Sequence, residues 1–189
     1  MESISRVCVF CGSSFGDSAV FAKNARLMGE YIGSHGMDLV FGGGNVGLMG
    51  ECARACMEFG GRVTGIIPRR IHEMVEHIEL TEIHVVETMH ERKAMMYSLA
   101  DCFVALPGGI GTVEELFEVY TWSQLGYLSK PVGILNIDGY YSTLLQFLDM
   151  MTARGFMKQA HRDQLLVSDE VEELFTMLSA ADVEYVRKL

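Results

Sequence analysis

No apolar run in this sequence approaches the ~20 residues that span a bilayer, and Met1 to Arg6 hold acidic and polar residues in place of an export signal's apolar stretch. Positive charge is scarce too. Against 25 Asp plus Glu stand 15 Lys plus Arg, a formal net charge of −10, so the overall field repels polyanions and argues against a protein that coats nucleic acid. A local cationic pocket for a small phosphate is compatible with that balance. There is no low-complexity tract, fixed-period repeat, block of like charge or linker. A length of 189 residues, 49% of them hydrophobic, suits one globular domain, residues 1–189, around a single core. The expectation is a cytoplasmic protein with neither a membrane nor a nucleic-acid partner.

Cysteine is present but not as a framework. Cys8, Cys11, Cys52, Cys56 and Cys102 are odd in number and scattered through apolar segments, which suits reduced thiols in the cytosol. Cys8 and Cys11 spell C-x-x-C, yet a zinc ribbon's second pair is missing, and alternation along a strand separates their directions. They read as small buried hydrophobes, with no metal site. The 13 methionines fall mostly in helical stretches, where the unbranched side chain fills gaps in a core.

Short β-rich runs alternate with longer stretches of helical spacing, the pattern of a parallel sheet wrapped by helices. Strands are expected at Val7–Cys11, Leu39–Phe41, Val63–Ile67, Glu82–Val86, Cys102–Leu106, Val132–Leu135 and Leu165–Val167. Helices are expected at Val20–Ser34, Gly47–Phe59, His90–Ala100, Val113–Leu125, Tyr141–Arg154 and Glu170–Leu178. Nearly continuous apolar runs such as Cys102 to Leu106 suit strands covered on both faces, so the fold class is α/β, a doubly wound parallel sheet. The stretch Arg69–Leu80 carries no readable pattern.

Two glycine-rich turns follow strands: Gly42-Gly43-Gly44-Asn45-Val46-Gly47 and Pro107-Gly108-Gly109-Ile110-Gly111-Thr112. Both belong to the carboxyl edge of the sheet, where open α/β folds bind ligands. Bare peptide amides there can approach a phosphate, and the dipole of the following helix favours its charge. A third loop on that edge, Cys11-Gly12-Ser13-Ser14, adds hydroxyls. Each loop alone is explained by the needs of a tight turn; three together point to a nucleotide or sugar phosphate. Gly42, Gly44 and Gly47 also fit G-x-G-x-x-G, but the dinucleotide fingerprint requires the first βα turn and an acid about 20 residues on. Here the next strand ends in Ile67-Pro68-Arg69-Arg70, and the match is weak.

Thr112 reads as the N-cap of the helix after the second turn, with Glu115 at its third position, a T-x-x-E capping box. The stripe Val113, Leu116, Phe117 and Tyr120 should face the core and leave Glu114 and Glu115 outside it. Upstream, Met89-His90-Glu91-Arg92-Lys93 opens a helix with two cations where the dipole asks for acids. A guanidinium aimed at a phosphate or carboxylate in the crevice accounts for that better than the alternative of a solvated surface pair.

Pro107-Gly108-Gly109-Ile110-Gly111-Thr112-Val113-Glu114-Glu115 is similar to the P-G-G-x-G-T-x-x-E signature of the Lonely Guy family, many of whose members carry the label possible lysine decarboxylase. The resemblance extends to Cys8–Ser13, Gly42–Gly50, Met89–Lys93, Thr121-Trp122-Ser123-Gln124-Leu125-Gly126 and Lys130-Pro131. It implies a Rossmann-like fold, a homodimer, and hydrolysis of the N-glycosidic bond of cytokinin riboside 5′-monophosphates or related adenosine 5′-monophosphates, releasing base and ribose 5-phosphate. No cofactor is implied. The family's catalytic pair falls on Arg92 and Glu115. Its nucleotide-contacting positions fall on Gly12, Ser13, Gly43, Gly44, Asn45, Met89, Lys93, Gly108, Gly109, Ile110, Gly111, Thr112, Val113, Glu114 and Thr121. An upstream acid near the base maps to Glu73 or Glu76, because Ile71–Leu80 departs from the family's text. Arg92 would serve either the phosphate or the leaving base. A non-catalytic carrier resembling the molybdenum cofactor carriers is the alternative. Lysine decarboxylation itself is disfavoured: of Lys23, Lys93, Lys130, Lys158 and Lys188, Lys93 alone adjoins the crevice, without a pyridoxal-phosphate pattern around it.

Overall fold

A computed structural model of the protein describes residues 4–75 and 79–183. Each expected apolar run is a strand: β1 (Arg6–Phe10), β2 (Asp38–Phe41), β3 (Val63–Pro68), β4 (Glu82–Val86), β5 (Cys102–Ala105), β6 (Val132–Leu135) and β7 (Leu165–Ser168). They form one parallel sheet in the order β4-β3-β2-β1-β5-β6-β7. The helices are α1 (Ala19–Ser34), α2 (Gly47–Glu58), α3 (Arg69–His72), α4 (Met89–Leu99), α5 (Ile110–Gln124), α6 (Ser142–Ala153), α7 (Gln159–Asp163) and α8 (Val171–Ala180). The short α3, α7 and a 3₁₀ turn at Ile137–Gly139 lie outside the sequence expectation, since one turn is too brief to display a period.

Strand alternation builds two cores. Val7 and Val9 of β1, with Cys102 and Val104 of β5, pack into the layer of α1, α2 and α8. Cys8 and Phe10, with Phe103 and Ala105, face α4, α5 and α6. Cys8 and Cys11 therefore lie in opposite layers, and all five cysteines are free and buried. On α1, Phe21, Ala25, Met28 and Ile32 repeat every three or four residues as one buried stripe, each large member contributing ~1.5–3 kcal/mol of burial. Phe103, fully buried, stacks on Phe10 at 6.1 Å, and truncating it to alanine would cost ~3–5 kcal/mol.

The strand order sets the functional edge. β1 and β5 are neighbours, but the chain leaves β1 toward β2 and leaves β5 toward β6, so their following loops part and open a crevice at the carboxyl ends. The crossover from edge strand β4 to central β5 carries α4 over β3, β2 and β1, and so delivers the start of α4 to that crevice.

Candidate active site

The crevice floor is backbone held by backbone. The Gly12 N–H donates to the Pro107 carbonyl at 3.0 Å, and the Leu48 N–H donates to the Gly12 carbonyl at 3.0 Å, tying the loops after β1, β2 and β5 together. That approach is close: a Cβ on Gly12 would lie 3.2 Å from the Gly108 α-carbon, and the neighbouring loop would have to give by a few tenths of an ångström. Asn45 is tied sideways, its Oδ1 accepting from Arg54 at 3.0 Å, while Arg54 pairs with Glu51. Gly43 and Gly44 are buried beneath the edge; Ser13, Gly109, Ile110 and Gly111 are exposed, Ile110 by 88%.

The expected capping box at Thr112 and Glu115 is overturned. α5 begins at Ile110 with Gly109, in extended backbone, as N-cap and no side-chain cap. Thr112 lies inside the first turn, buried against Gly108. The face that packs on the sheet also differs from expectation. Leu116, Val119 and Tyr120 fill the core, Val113 and Phe117 are half-buried at its margin, and Glu115 turns inward to 8% exposure instead of facing solvent. Glu114 stays outside as expected.

The T-x-x-E that does cap is Thr88 to Glu91. Thr88 Oγ1 accepts from the Glu91 N–H at 3.1 Å, and the Glu91 carboxylate accepts from the Glu87 N–H at 2.9 Å. Glu91 thus supplies the acid that the helix dipole favours, and Arg92 and Lys93 follow it one turn in. His90 is exposed, and so is Met89, whose sulfur lies 3.9 Å from an Arg92 nitrogen.

Arg92 and Glu115 meet. Arg92 Nε donates to the Ile66 carbonyl at 3.2 Å, and Nη2 lies 3.4 Å from Glu115 Oε1. The guanidinium rests on the α-carbon of Gly42, where any Cβ would overlap it. Burial pushes the Glu115 carboxyl above its ordinary range, Arg92 pulls it back, and Glu114 adds to the rise. Beneath it the Cys8 and Cys11 thiols are pushed up, first by burial and then by Glu115, so they stay protonated.

Lys93 has a different environment. At 7% exposure, its Nζ is 2.5 Å from Glu114 Oε1 and 2.9 Å from Glu118 Oε2, and Glu118 also accepts from the Tyr97 hydroxyl. Burial alone would lower its pKa; the two carboxylates outweigh that and raise it. Thr121 is exposed near the far end of α5, about 16 Å along the axis from Ile110 at ~1.5 Å per residue, and does not reach the turn within one chain. Glu73 is exposed at the end of α3, while Glu76 lies outside the described residues. Arg69 pairs with Glu87 at 2.7 Å.

Sequence reasoning missed Tyr140 and Tyr141, whose hydroxyls donate to the Gly108 carbonyl at 2.5 Å and the Leu106 carbonyl at 2.7 Å. Asp138-Gly139, a turn dipeptide just after β6 on the same edge, was the available signal. Among the described residues no cluster of three or more His, Cys, Asp or Glu is arranged to hold a metal ion, and no helix is long and apolar enough to cross a membrane.

Known proteins resemble this chain in sequence and in fold. Residues 49–178 match the family model described as possible lysine decarboxylase. The chain is 46% identical over 170 residues to the probable cytokinin riboside 5′-monophosphate phosphoribohydrolase LOGL1 of Oryza sativa subsp. japonica, covering 89% of this chain and 76% of that protein. It is also 46% identical over 180 residues to the Arabidopsis thaliana cytokinin riboside 5′-monophosphate phosphoribohydrolase LOG5, covering 93% and 77%. Among solved structures, the molybdenum cofactor binding protein of Rippkaea orientalis superposes with a TM-score of 0.70 at 20% identity, covering 94% of this chain and 96% of that one. The molybdenum cofactor carrier protein of Chlamydomonas reinhardtii does so with a TM-score of 0.65 at 22% identity, covering 92% and 95%. At such identities the structural matches establish the Rossmann-like fold, and the sequence matches establish kinship: the chain belongs to the possible lysine decarboxylase, or Lonely Guy, family.

Proposed function

We propose that the protein hydrolyses the N-glycosidic bond of adenosine 5′-monophosphates, N6-substituted ones included, to free base and ribose 5-phosphate. The observation that carries this reading is the pairing of half-buried Arg92 with buried Glu115 beside the exposed residues Gly109, Ile110 and Gly111. Their amides, with Gly12 and Ser13 alongside, hold the phosphate at the start of α5. Ribose is thereby fixed with C1′ near Glu115. As the bond to the base breaks, positive charge develops on the sugar, and a carboxylate there stabilises it and orients the attacking water. Arg92 opposes the rise that burial imposes on the Glu115 carboxyl and presents its remaining N–H groups to the phosphate or the departing base. Lys93 is neutralised by Glu114 and Glu118 and acts by clamping α4 to α5. This chemistry calls on no cofactor.

The named relatives support the reading, since LOGL1 and LOG5 are cytokinin riboside 5′-monophosphate phosphoribohydrolases by name. Incubation with AMP and with isopentenyl-AMP should release ribose 5-phosphate from at least one. Nucleotide binding without release would favour a carrier on the same fold.

The whole chain serves as one nucleotide-binding unit, and its active form is a homodimer. Trp122, Leu125 and Tyr127 are exposed at the end of α5, Tyr127 by 76%, as a surface for a second copy. Such a copy would also bring a Thr121 to a turn that its own chain keeps remote. Sedimentation at micromolar concentration should show a dimer; a monomer alone would contradict this. Five buried free thiols support a reducing compartment, the cytoplasm.

A further inference from the structure

The three carbonyls entering the phosphate turn are all engaged from outside it. Leu106 O accepts from the Tyr141 hydroxyl at 2.7 Å, Pro107 O from the Gly12 N–H at 3.0 Å, and Gly108 O from the Tyr140 hydroxyl at 2.5 Å. In a trans peptide the C=O and the following N–H point to opposite sides. A donor that captures Gly108 O therefore turns the Gly109 N–H the other way, and it keeps a carbonyl dipole from facing an anion.

We infer that Tyr140, backed by Tyr141, is a positioning residue that sets the Gly108–Gly109 peptide with its N–H toward the substrate phosphate. The tyrosine is itself held on several sides. Its ring meets Phe21 edge-on at 5.8 Å and Tyr141 edge-on at 5.0 Å. The turn that presents it passes through left-handed backbone at Asp138, with φ 52°, and at Gly139, with φ 69°. Asp138 is a non-glycine residue in that region, which persists where the surroundings determine it. Asn136 fixes the exit of the turn, its Oδ1 accepting from the Tyr141 N–H at 2.8 Å. Tyr140 is 46% exposed, so its hydroxyl is not needed to fill a core. The single hydroxyl has a polar task at the rim of the site.

This inference rests on the turn being the phosphate cradle, as proposed above. Its test is direct titration of inorganic phosphate and of AMP into the parent and into Tyr140→Phe, with thermal melting alongside. Tyr140→Phe should raise both dissociation constants about tenfold and leave the melting temperature within about 2 °C. A purely structural role would instead lower the melting temperature and leave the affinity of the folded protein unchanged; that result, or unchanged affinities with unchanged melting, overturns the inference. Phe21→Leu, which keeps the hydroxyl but loosens the ring, should raise the phosphate constant about threefold, and no rise would also overturn it. Failure of the parent to release ribose 5-phosphate from AMP sinks the proposed reaction. An unaltered phosphate constant in Tyr140→Phe sinks this inference whether or not the reaction occurs.

Discussion

Arg92 and Lys93 are adjacent on α4, similarly buried, and face carboxylates of the same helix, yet their surroundings differ in kind. Lys93 is saturated by two carboxylates at 2.5 and 2.9 Å. Among the described residues Arg92 makes a single long ion pair, 3.4 Å to Glu115, beside one backbone carbonyl. A saturated cluster has nothing left to offer a ligand, whereas an unsaturated pair whose acid is raised in pKa by burial still has charge to present to a substrate. The contrast separates a brace from a reactive pair within two consecutive residues.

The largest expected effect attacks the reactive side. Glu115→Gln should lower kcat for ribose 5-phosphate release by at least ~100-fold, the usual cost of losing a group that meets transition-state charge. Its melting temperature should not fall, because a buried charge has been removed. Undiminished turnover would reduce Glu115 to a packing role. Arg92→Lys should come next, with kcat/KM down about tenfold or more, ~1.4 kcal/mol, because an ammonium cannot reproduce the guanidinium fork that spans Ile66 O and Glu115. Steady-state kinetics on AMP would show it.

The brace predicts the opposite profile. Lys93→Met leaves Glu114 and Glu118 without their cation and should cost about 2 kcal/mol of stability, or ~4–8 °C in melting temperature, with kcat within ~3-fold of the parent. A large kcat loss with unchanged melting would erase the distinction between the two cations.

The smallest effect is in pH. Burial raises the Glu115 carboxyl above its ordinary 4.5 in the folded protein, so the folded state keeps a proton that the unfolded chain has released. Stability from this group is fully present below the ordinary value and is lost as pH rises through the folded value. The melting advantage of Glu115→Gln should therefore widen from about pH 4 to about pH 7, and a constant difference would count against a buried ionised Glu115. The same direction of shift places the acid limb of kcat/KM above 4.5.

Much of this contrast is legible in residue order. Runs such as Cys102 to Ala105 betray strands buried on both faces, and two cations after Met89-His90-Glu91 mark the start of α4 as unusual. The start of α5 is misread from sequence because Thr112 and Glu115 spell a capping box as well as Thr88 and Glu91 do, and only tertiary packing decides which is used. That misreading places Glu115 in solvent. Glu115 turns inward because α5 buries the face carrying Thr112, Leu116, Val119 and Tyr120, a choice made by packing on the sheet and not by the local residue order. Tyr140 and Tyr141 act on Gly108 and Leu106 across more than thirty positions, and no local pattern records such a contact.

The central claim is that peptide amides grip the phosphate while Glu115 attends the sugar carbon. A crystal structure of Glu115→Gln with AMP bound measures both at once. The account predicts phosphate oxygens on the N–H groups of Gly109 to Gly111 and ribose C1′ within ~3.5 Å of the substituted side chain, on the face opposite the base. Phosphate bound elsewhere, or C1′ held beyond reach of that side chain in either copy of a dimer, would contradict it.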